Sequence, residues 1–494
     1  MRSPRSARTD RLLITLPFYL LFLAELANHQ IWRDEINAWA ISFISPNLTE
    51  LFHRVHYEAH PALWYLILFT ASRVSHSLWM LKLVEAIIGT GIYALLAWAS
   101  PFRRIELLLI LCSYYFVFEY TVMCRMYSLE LLFAMAYVWF RTRRPDWVIR
   151  NTFWLGLIAN VDITGAILAG ALLLEYGISR LARPGATAKL KLRDIATAVT
   201  VFTASLAISV GTLWPAKDIG WSTTGKMFSQ FWDAGHLVQA ALKWVAVPWV
   251  PPPINILDQW LASGWFYFFL SPAILFVLYL IFRDHPRPAI ILVAIILLGT
   301  LFSHITGVAA VRHTGIVYIG FLVALWMLRS QPTRVSPLVY LLLLLPVIPG
   351  IMAEIDQWSW PYSDSQAATD WIVQQNLENL PLFGTPDSNV IGVPERLNLP
   401  IYQLECACED RVLTFSNRRD NFDRSKEIPA SLLRGFQNLH INTGIFLDNR
   451  KLSVVDQRHL AAGGVNQQLI GQFDHGFLGD EYIYIYRITA NPPH

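Results

Sequence analysis

IWRDEINAWAISFISPNLTELFHRVHYEAHPALW, residues 31–64, sets Asp34, Glu35, Glu58 and the histidines His53, His56 and His60 between two hydrophobic runs. A carboxylate pair beside a bilayer loses hydration that only partners can replace, so it is costly unless it has work to do. This stretch is therefore the candidate site, and the runs around it decide the fold. Upstream, residues 12–27 are apolar and follow Arg2, Arg5, Arg8 and Arg11. Ala24 and Ala27 are separated by Glu25 and Leu26, which is no small-x-small cleavage pattern, so the run reads as an uncleaved anchor. Its basic flank puts the N-terminus in the cytoplasm and the first loop, 29–61, outside.

Composition agrees. The chain is 54% hydrophobic and 15% charged, with a mean hydropathy of +0.39 and 19 tryptophans in 494 residues, which describes a polytopic membrane protein. A net charge of only +3 gives no broad basic surface, which argues against nucleic-acid binding. Further apolar runs lie near 62–76, 79–99, 105–119, 125–140, 147–160, 163–181, 194–213, 263–282, 288–306, 310–328 and 335–353, so about 11 to 13 transmembrane helices are expected. Basic clusters at Arg103/Arg104, Arg141/Arg143/Arg144, Arg180–Arg193, Arg283/Arg287 and Arg329/Arg334 alternate as cytoplasmic turns and leave the C-terminal tail outside. An external first loop and a cytoplasmic Arg103 require an odd number of crossings between residues 61 and 100, where two runs occur. Either the run after Pro61 is partial or re-entrant, or Arg103 and Arg104 face outside.

The fold class predicted is an all-α polytopic membrane domain over residues 1–354, followed by a small extracytoplasmic α/β domain over 355–494. In the latter, RVLTF, GIFLD and EYIYIYRI read as strands and SDSQAATDWIVQQ as a helix. A second external loop, 214–262, carries Trp214, Trp221, Trp232, Trp244, Trp249 and Trp260 and is expected to lie at headgroup level. Cys406 and Cys408 form a C-x-C whose disulfide would be strained, and the four cysteines read as unremarkable buried residues. There is no P-loop, dinucleotide-binding glycine fingerprint or internal repeat, which weighs against a nucleotide-driven pump.

WRDEINAW, HYEAHPALWYLIL, EYTVMCRMYSLELLFA and VRHTGIVYIGFL, in that order and spacing, resemble the GT-C membrane glycosyltransferases. The branch is that of the protein O-mannosyltransferases and lipid A aminoarabinose transferases, and the resemblance covers roughly residues 10–330. It implies a polyprenyl-phosphate-linked sugar donor, a glycan, lipid or protein acceptor, and an acidic motif in the first external loop. The expected setting is the cytoplasmic (inner) membrane, with multiple passes and an extracytoplasmic catalytic face.

Such a donor already carries a good leaving group, so the chemistry needs a base for the acceptor hydroxyl and cations for the departing phosphate. Asp34 matches the acidic residue of the family motif and is the expected base, with Glu35 orienting acceptor or sugar. The competing reading is that one of them caps the helix starting near Ile36. His53, His56 and His60 at i, i+3 and i+7 would share one helical face with Glu58 nearby. That pattern fits substrate binding by Glu58 or His60, a divalent metal held by His56, Glu58 and His60, or an amphipathic interfacial helix. No metal ligand set is inferred. Arg125, with Tyr127, and Arg312, with His313, sit at polar breaks suited to gripping phosphate; the alternative is snorkelling or an ion pair such as Glu119 with Arg125. Asp162, in NVDITG, reads as a helix cap. The predicted function is an inverting transferase acting at the outer face; the alternative is a membrane transporter or lipid flippase, for which polar residues would be spread along mid-membrane helices.

Overall fold

The chain is described by a computed structural model, which covers residues 4–182, 192–220, 233–251, 265–419 and 422–490. The first anchor is a helix, Pro4–Asn28, that stops at a break and continues, turned by 76°, as Arg33–Ile44. Glu35 explains the restart. Its carboxylate accepts the backbone N–H of Trp32 at 2.9 Å, which satisfies a donor that the first helical turn leaves without an intrahelical acceptor. Helix Leu48–Val55 begins in the ordinary way, with the Asn47 side chain accepting the Glu50 N–H at 3.0 Å.

Six helices among the described residues are long and apolar enough to cross a bilayer: Trp79–Trp98, Ile163–Leu181, Leu192–Leu213, Pro286–Thr306, Val311–Arg329 and Leu338–Ser359. The bent first pair would make a seventh. The remaining apolar runs form shorter pieces. The run after Pro61 becomes Leu63–Ser72, ten residues, and at 1.5 Å per residue it reaches about 15 Å, half of a hydrocarbon core of about 30 Å. It is therefore a partial helix, as one of the two readings of the crossing count required. The run 105–119 is also broken: after Arg104–Leu111 the chain turns through a π-helical segment, Tyr115–Glu119. The Tyr114 N–H there leaves its own helix to donate to the Pro346 carbonyl at 2.9 Å. The segment then runs irregularly from Tyr120 to Met126 before helix Tyr127–Arg143 begins.

The loop at 214–262 is partly helical and divides its tryptophans between buried and exposed positions. Helix Ala234–Ala246 buries its C-terminal part and leaves Leu237 and Val238 exposed, and both Trp244 and Trp249 are fully buried. Trp214 is exposed, and Trp221, Trp232 and Trp260 lie outside the described residues.

Beyond Ser359 a six-stranded sheet forms from β1 (Leu382–Thr385), β2 (Ile401–Gln403), β3 (Cys408–Asp410), β4 (Thr443–Asp448), β5 (Val465–Phe473) and β6 (Ile483–Ala490), in the order β3-β2-β1-β4-β6-β5. The central β2-β1-β4 trio is parallel; the outer pairings are antiparallel. Alternation along β4 sends Phe446 to one face, against Leu432 and Phe436, and Ile445 and Leu447 to the other, against Ala368 and Ile372. Helices therefore cover both faces, as a parallel centre demands. GIFLD and EYIYIYRI are β4 and β6, and Ser365–Gln374 is the expected helix. RVLTF, read as a strand, is not one: Leu413 instead donates its N–H to the Asn37 side chain at 3.0 Å, and the segment folds over the end of the membrane helices. Cys406 and Cys408 are joined by a disulfide across a Cα separation of 5.2 Å, correcting their reading as unlinked cysteines.

Candidate active site

Where the sheet meets the helices, a cavity of about 930 Å³ opens between Asp34, His60, Arg125, Arg312 and His313 on one side and Ser388, Asn389, Leu413 and Asp480 on the other. A second cavity of about 330 Å³ shares the wall formed by Arg33, Asp34, Arg125 and Arg312. Asp34 stands at the junction of the two. It lies in the first turn of helix Arg33–Ile44, but its carboxylate turns away from the helix end into the cavity, where its side chain keeps 29% exposure. Arg33 Nε is 3.8 Å from one of its oxygens and an Arg312 nitrogen 3.6 Å from the other. Both cations steady the charge without binding it tightly, so the oxygens stay open to a substrate hydroxyl.

Arg125 comes from the irregular stretch after the π-helical turn. Buried, it donates to the Asp34 backbone carbonyl at 2.6 Å and approaches His60 Nε2 at 3.4 Å. A guanidinium can only donate, so His60 presents its Nε2 lone pair and carries its proton on Nδ1. That nitrogen lies 2.9 Å from Asp162, whose second oxygen accepts the Thr164 hydroxyl at 2.8 Å. Burial alone would raise the pKa of Asp162; the His60 hydrogen bond, the electrostatic pull of His60 and His313, and the Thr164 hydrogen bond outweigh it and hold the carboxyl below the usual carboxylate range. Asp162 precedes helix Ile163–Leu181, as a cap would, but its side chain serves His60 instead.

The expected histidine face does not form. Helix Leu48–Val55 ends before His56, and Ala59 takes a left-handed φ of 54°, which sends the residues on either side of it in different directions. His56 Nδ1 meets the Trp214 carbonyl at 2.5 Å, Glu58 turns to Asn37 and Tyr65 at 3.2 Å each, and His60 turns to Asp162. His56, Glu58 and His60 are thus not brought together as a metal ligand set, and no three His, Cys, Asp or Glu side chains converge on such a site among the described residues. Burial pushes the Glu58 carboxyl up to about 7, against the pull of Arg125 and the Tyr65 and Asn37 hydrogen bonds.

Glu35 is also placed differently from its expected role. Its carboxylate is fully buried on His29 Nε2 at 3.0 Å, the Trp32 N–H and the Cys124 N–H at 2.5 Å, and it does not line the cavity. It braces the Asp34 turn against the Arg125 segment. The suggested Glu119–Arg125 pair is absent among the described contacts: Glu119 accepts the Tyr114 hydroxyl at 2.7 Å.

Four buried polar atoms at this wall have no hydrogen-bond partner among the described residues: Arg33 Nη1, the Tyr127 hydroxyl, Arg312 Nε and His313 Nδ1. The arginine atoms can only donate, the Tyr127 hydroxyl can donate, His313 Nδ1 donates in one of its two neutral tautomers, and all of them belong to residues that line the cavity with Arg125. Gly315 permits this packing, because a Cβ there would collide with the Tyr115 and Tyr120 rings.

Sequence reasoning missed Arg33, Asn37, Lys217, Asn389 and Asp480, all of which line the cavity. Arg33 donates to Asp480 at 2.6 Å and lies 3.5 Å from Glu481, so it ties the sheet to the Asp34 turn. Buried carboxyls elsewhere in the helices, Glu85, Glu130 and Glu175, are hydrogen-bonded to Ser128, Thr164 and Ser179 and stand off the cavity.

No protein-family model and no curated protein matches this chain. Among solved structures, the crystal structure of ArnT from Cupriavidus metallidurans bound to undecaprenyl phosphate is similar at 12% identity and a TM-score of 0.49, covering 96% of this chain and 97% of that one.

Proposed function

We propose that this chain is an integral-membrane glycosyltransferase that moves a sugar from a polyprenyl-phosphate donor to a hydroxyl acceptor, with inversion at the anomeric carbon. The observation that carries the reading is the pairing, at one junction, of a partly open carboxylate with a cluster of cations and unpartnered donors. Asp34 accepts the acceptor's hydroxyl proton; the freed oxygen bonds to the anomeric carbon as the bond from that carbon to the phosphate oxygen breaks. The electron pair leaves with the phosphate, whose charge falls to Arg125, Arg312 and the Tyr127 hydroxyl. The cavity at the ends of apolar helices suits a donor whose tail stays in lipid. A transporter reading has less support, because Glu85, Glu130 and Glu175 within the helices each accept one hydroxyl, from Ser128, Thr164 and Ser179, and none of them lines the cavity.

Transfer of radiolabelled sugar from a synthetic polyprenyl-phosphate sugar to extracted envelope acceptors tests the proposal. Wild type should transfer, and Asp34→Asn should lose at least about 100-fold while still binding donor, as loss of a general base does. Donor-independent behaviour of the wild type, or full turnover by the mutant, would overturn it.

A further inference from the structure

On the other side of helix Arg33–Ile44 lies a cavity of about 870 Å³ that shares no lining residue with the one holding Asp34. Its floor is the break between Asn28 and Trp32; Trp79, 64% exposed, and Lys82 from the first turn of helix Trp79–Trp98 form one wall, and Arg396 and Glu395 from helix Gly392–Leu397 form another. It therefore sits at the ends of two apolar helices, one of them opening with an exposed tryptophan, at the depth where lipid headgroups lie.

Its charges are arranged for a ligand that carries both signs. Lys82 Nζ donates to the Ala27 carbonyl at 2.9 Å and lies 4.7 Å over the Trp79 ring, and Arg396 donates to Ser365, Gln366 and the Ile31 carbonyl. All of these partners are neutral. No carboxylate lies within ion-pair distance of either cation among the described residues; Glu35 attracts Lys82, and Glu35 and the pocket-lining Asp370 attract Arg396, from further away. Two like charges facing one cavity, with hydrogen-bond donors to spare, call for an anion between them. Beside Arg396 on the same helix, and in the floor, are two buried polar atoms without a hydrogen-bond partner among the described residues: Glu395 Oε2 and His29 Nδ1. His29 Nε2 meets the Glu35 carboxylate, which can only accept, so in the neutral ring Nδ1 is left with the lone pair.

From this juxtaposition we infer that the pocket binds the headgroup of a membrane phospholipid bearing a primary ammonium, with phosphate on Lys82 and Arg396 and ammonium on Glu395 and His29. The inference is independent of the proposed sugar transfer. Because Glu35 joins His29 to the Cys124 N–H, the bound lipid would rest against the brace that holds Arg125 in place.

Native mass spectrometry of the full chain released from bilayers containing equal phosphatidylethanolamine, phosphatidylcholine and phosphatidylglycerol tests this. The wild type should keep one phosphatidylethanolamine per chain in preference to the other two. Lys82→Gln should cut that occupancy about tenfold, and Glu395→Gln should abolish the preference for ethanolamine over choline, whose quaternary ammonium cannot donate. Equal retention of the three lipids by wild type, displacement of the lipid by millimolar inorganic phosphate, or unchanged occupancy in a Lys82→Gln protein with wild-type melting would each overturn the inference. Should Lys82→Gln not fold, competition in the wild type between short-chain phosphatidylethanolamine and phosphatidylcholine decides it, equal potency of the two counting against.

Discussion

His60 and Asp162, 102 residues apart, face each other with 2.9 Å between Nδ1 and Oδ1, and this pair fixes which nitrogen of His60 turns to Arg125. The consequence is a chain of contacts, Thr164 to Asp162 to His60 to Arg125 to the Asp34 carbonyl, in which each member orients the next. Asp162→Asn keeps the shape but removes the acceptor charge and lets His60 take the other tautomer. Transfer should fall about 10-fold or more through loss of donor affinity. The Asp162→Asn/His60→Ala double mutant should be little worse than His60→Ala alone, since neighbours in one network are not additive. Strictly multiplicative losses, measured as kcat/KM, would mean that the two residues act separately.

Arg125 makes a forked contact, with one nitrogen on the Asp34 carbonyl and the other on His60. Lysine preserves charge but cannot hold both directions at once. Arg125→Lys should therefore weaken donor use more than a conservative exchange suggests. Arg125→Ala should weaken it further, by about 2 to 5 kcal/mol for a desolvated charge contact. Donor titration by intrinsic tryptophan fluorescence, with melting temperature alongside, separates the outcomes: wild-type donor affinity in a poorly folded mutant would make Arg125 a structural support of the Asp34 turn and move phosphate recognition to Arg312 and His313.

Glu58 supplies a pH dependence. Its carboxyl is raised to about 7 by burial, so the folded chain holds this proton more tightly than the unfolded chain does. The folded state is favoured at low pH, and that advantage is lost as pH rises from the ordinary glutamate range through about 7; for a shift of this size it is on the order of 3 kcal/mol. Glu58→Gln should remove the decline. Thermal melting in detergent from pH 5 to pH 8 should fall more steeply for wild type than for the mutant, and parallel curves would show that Glu58 titrates normally.

Much of this architecture is legible in the sequence because apolar periodicity and length leave few choices, as the runs at 79–99, 163–181 and 310–328 illustrate. Asp34, His60, Arg125, Tyr127, Arg312 and His313 could each be named because every one breaks an apolar context, and the structure gathers all of them at one cavity. What failed was whatever depends on a partner far away in the chain. Glu35 looks identical to Asp34 in sequence, yet the two point oppositely because residues one apart on a helix lie about 100° apart, and only the Cys124 and His29 contacts decide which one is buried. The histidine spacing suggested a continuous helix, but nothing local announces a left-handed Ala59. RVLTF has the composition of a strand and is used as a cover, its Leu413 N–H taken by Asn37 rather than by a ladder. Asp480 sits just ahead of β6 in a stretch with no catalytic spacing to mark it; its carboxylate is met by Arg33, 447 residues away.

That last pair supports a prediction about how the sheet serves the cavity. Arg33 joins Asp480 at 2.6 Å and Glu481 at 3.5 Å, while Asn389 donates to the Asp480 carbonyl at 2.6 Å, so the Asp480 part of the wall opposite Asp34 is tied to the Asp34 turn through the Arg33 guanidinium. Burial pushes Glu481 up to about 8, against the pull of Arg33 and the Ser363 hydroxyl, so removing Arg33 should leave Glu481 protonated and Asp480 loose. Arg33→Ala should lower transfer by about 10-fold or more; Asp480→Ala should do the same, and the double mutant little worse than either, with a coupling of roughly 0.5 to 3 kcal/mol. The exchange Arg33→Asp with Asp480→Arg should restore part of the loss if the contact is what matters, although Glu481 stays opposed to the new aspartate. Independent single-mutant effects with no recovery in the exchange would assign Arg33 to Asp34 alone, as a cation steadying the base, and leave the sheet as a cover without a positioning role.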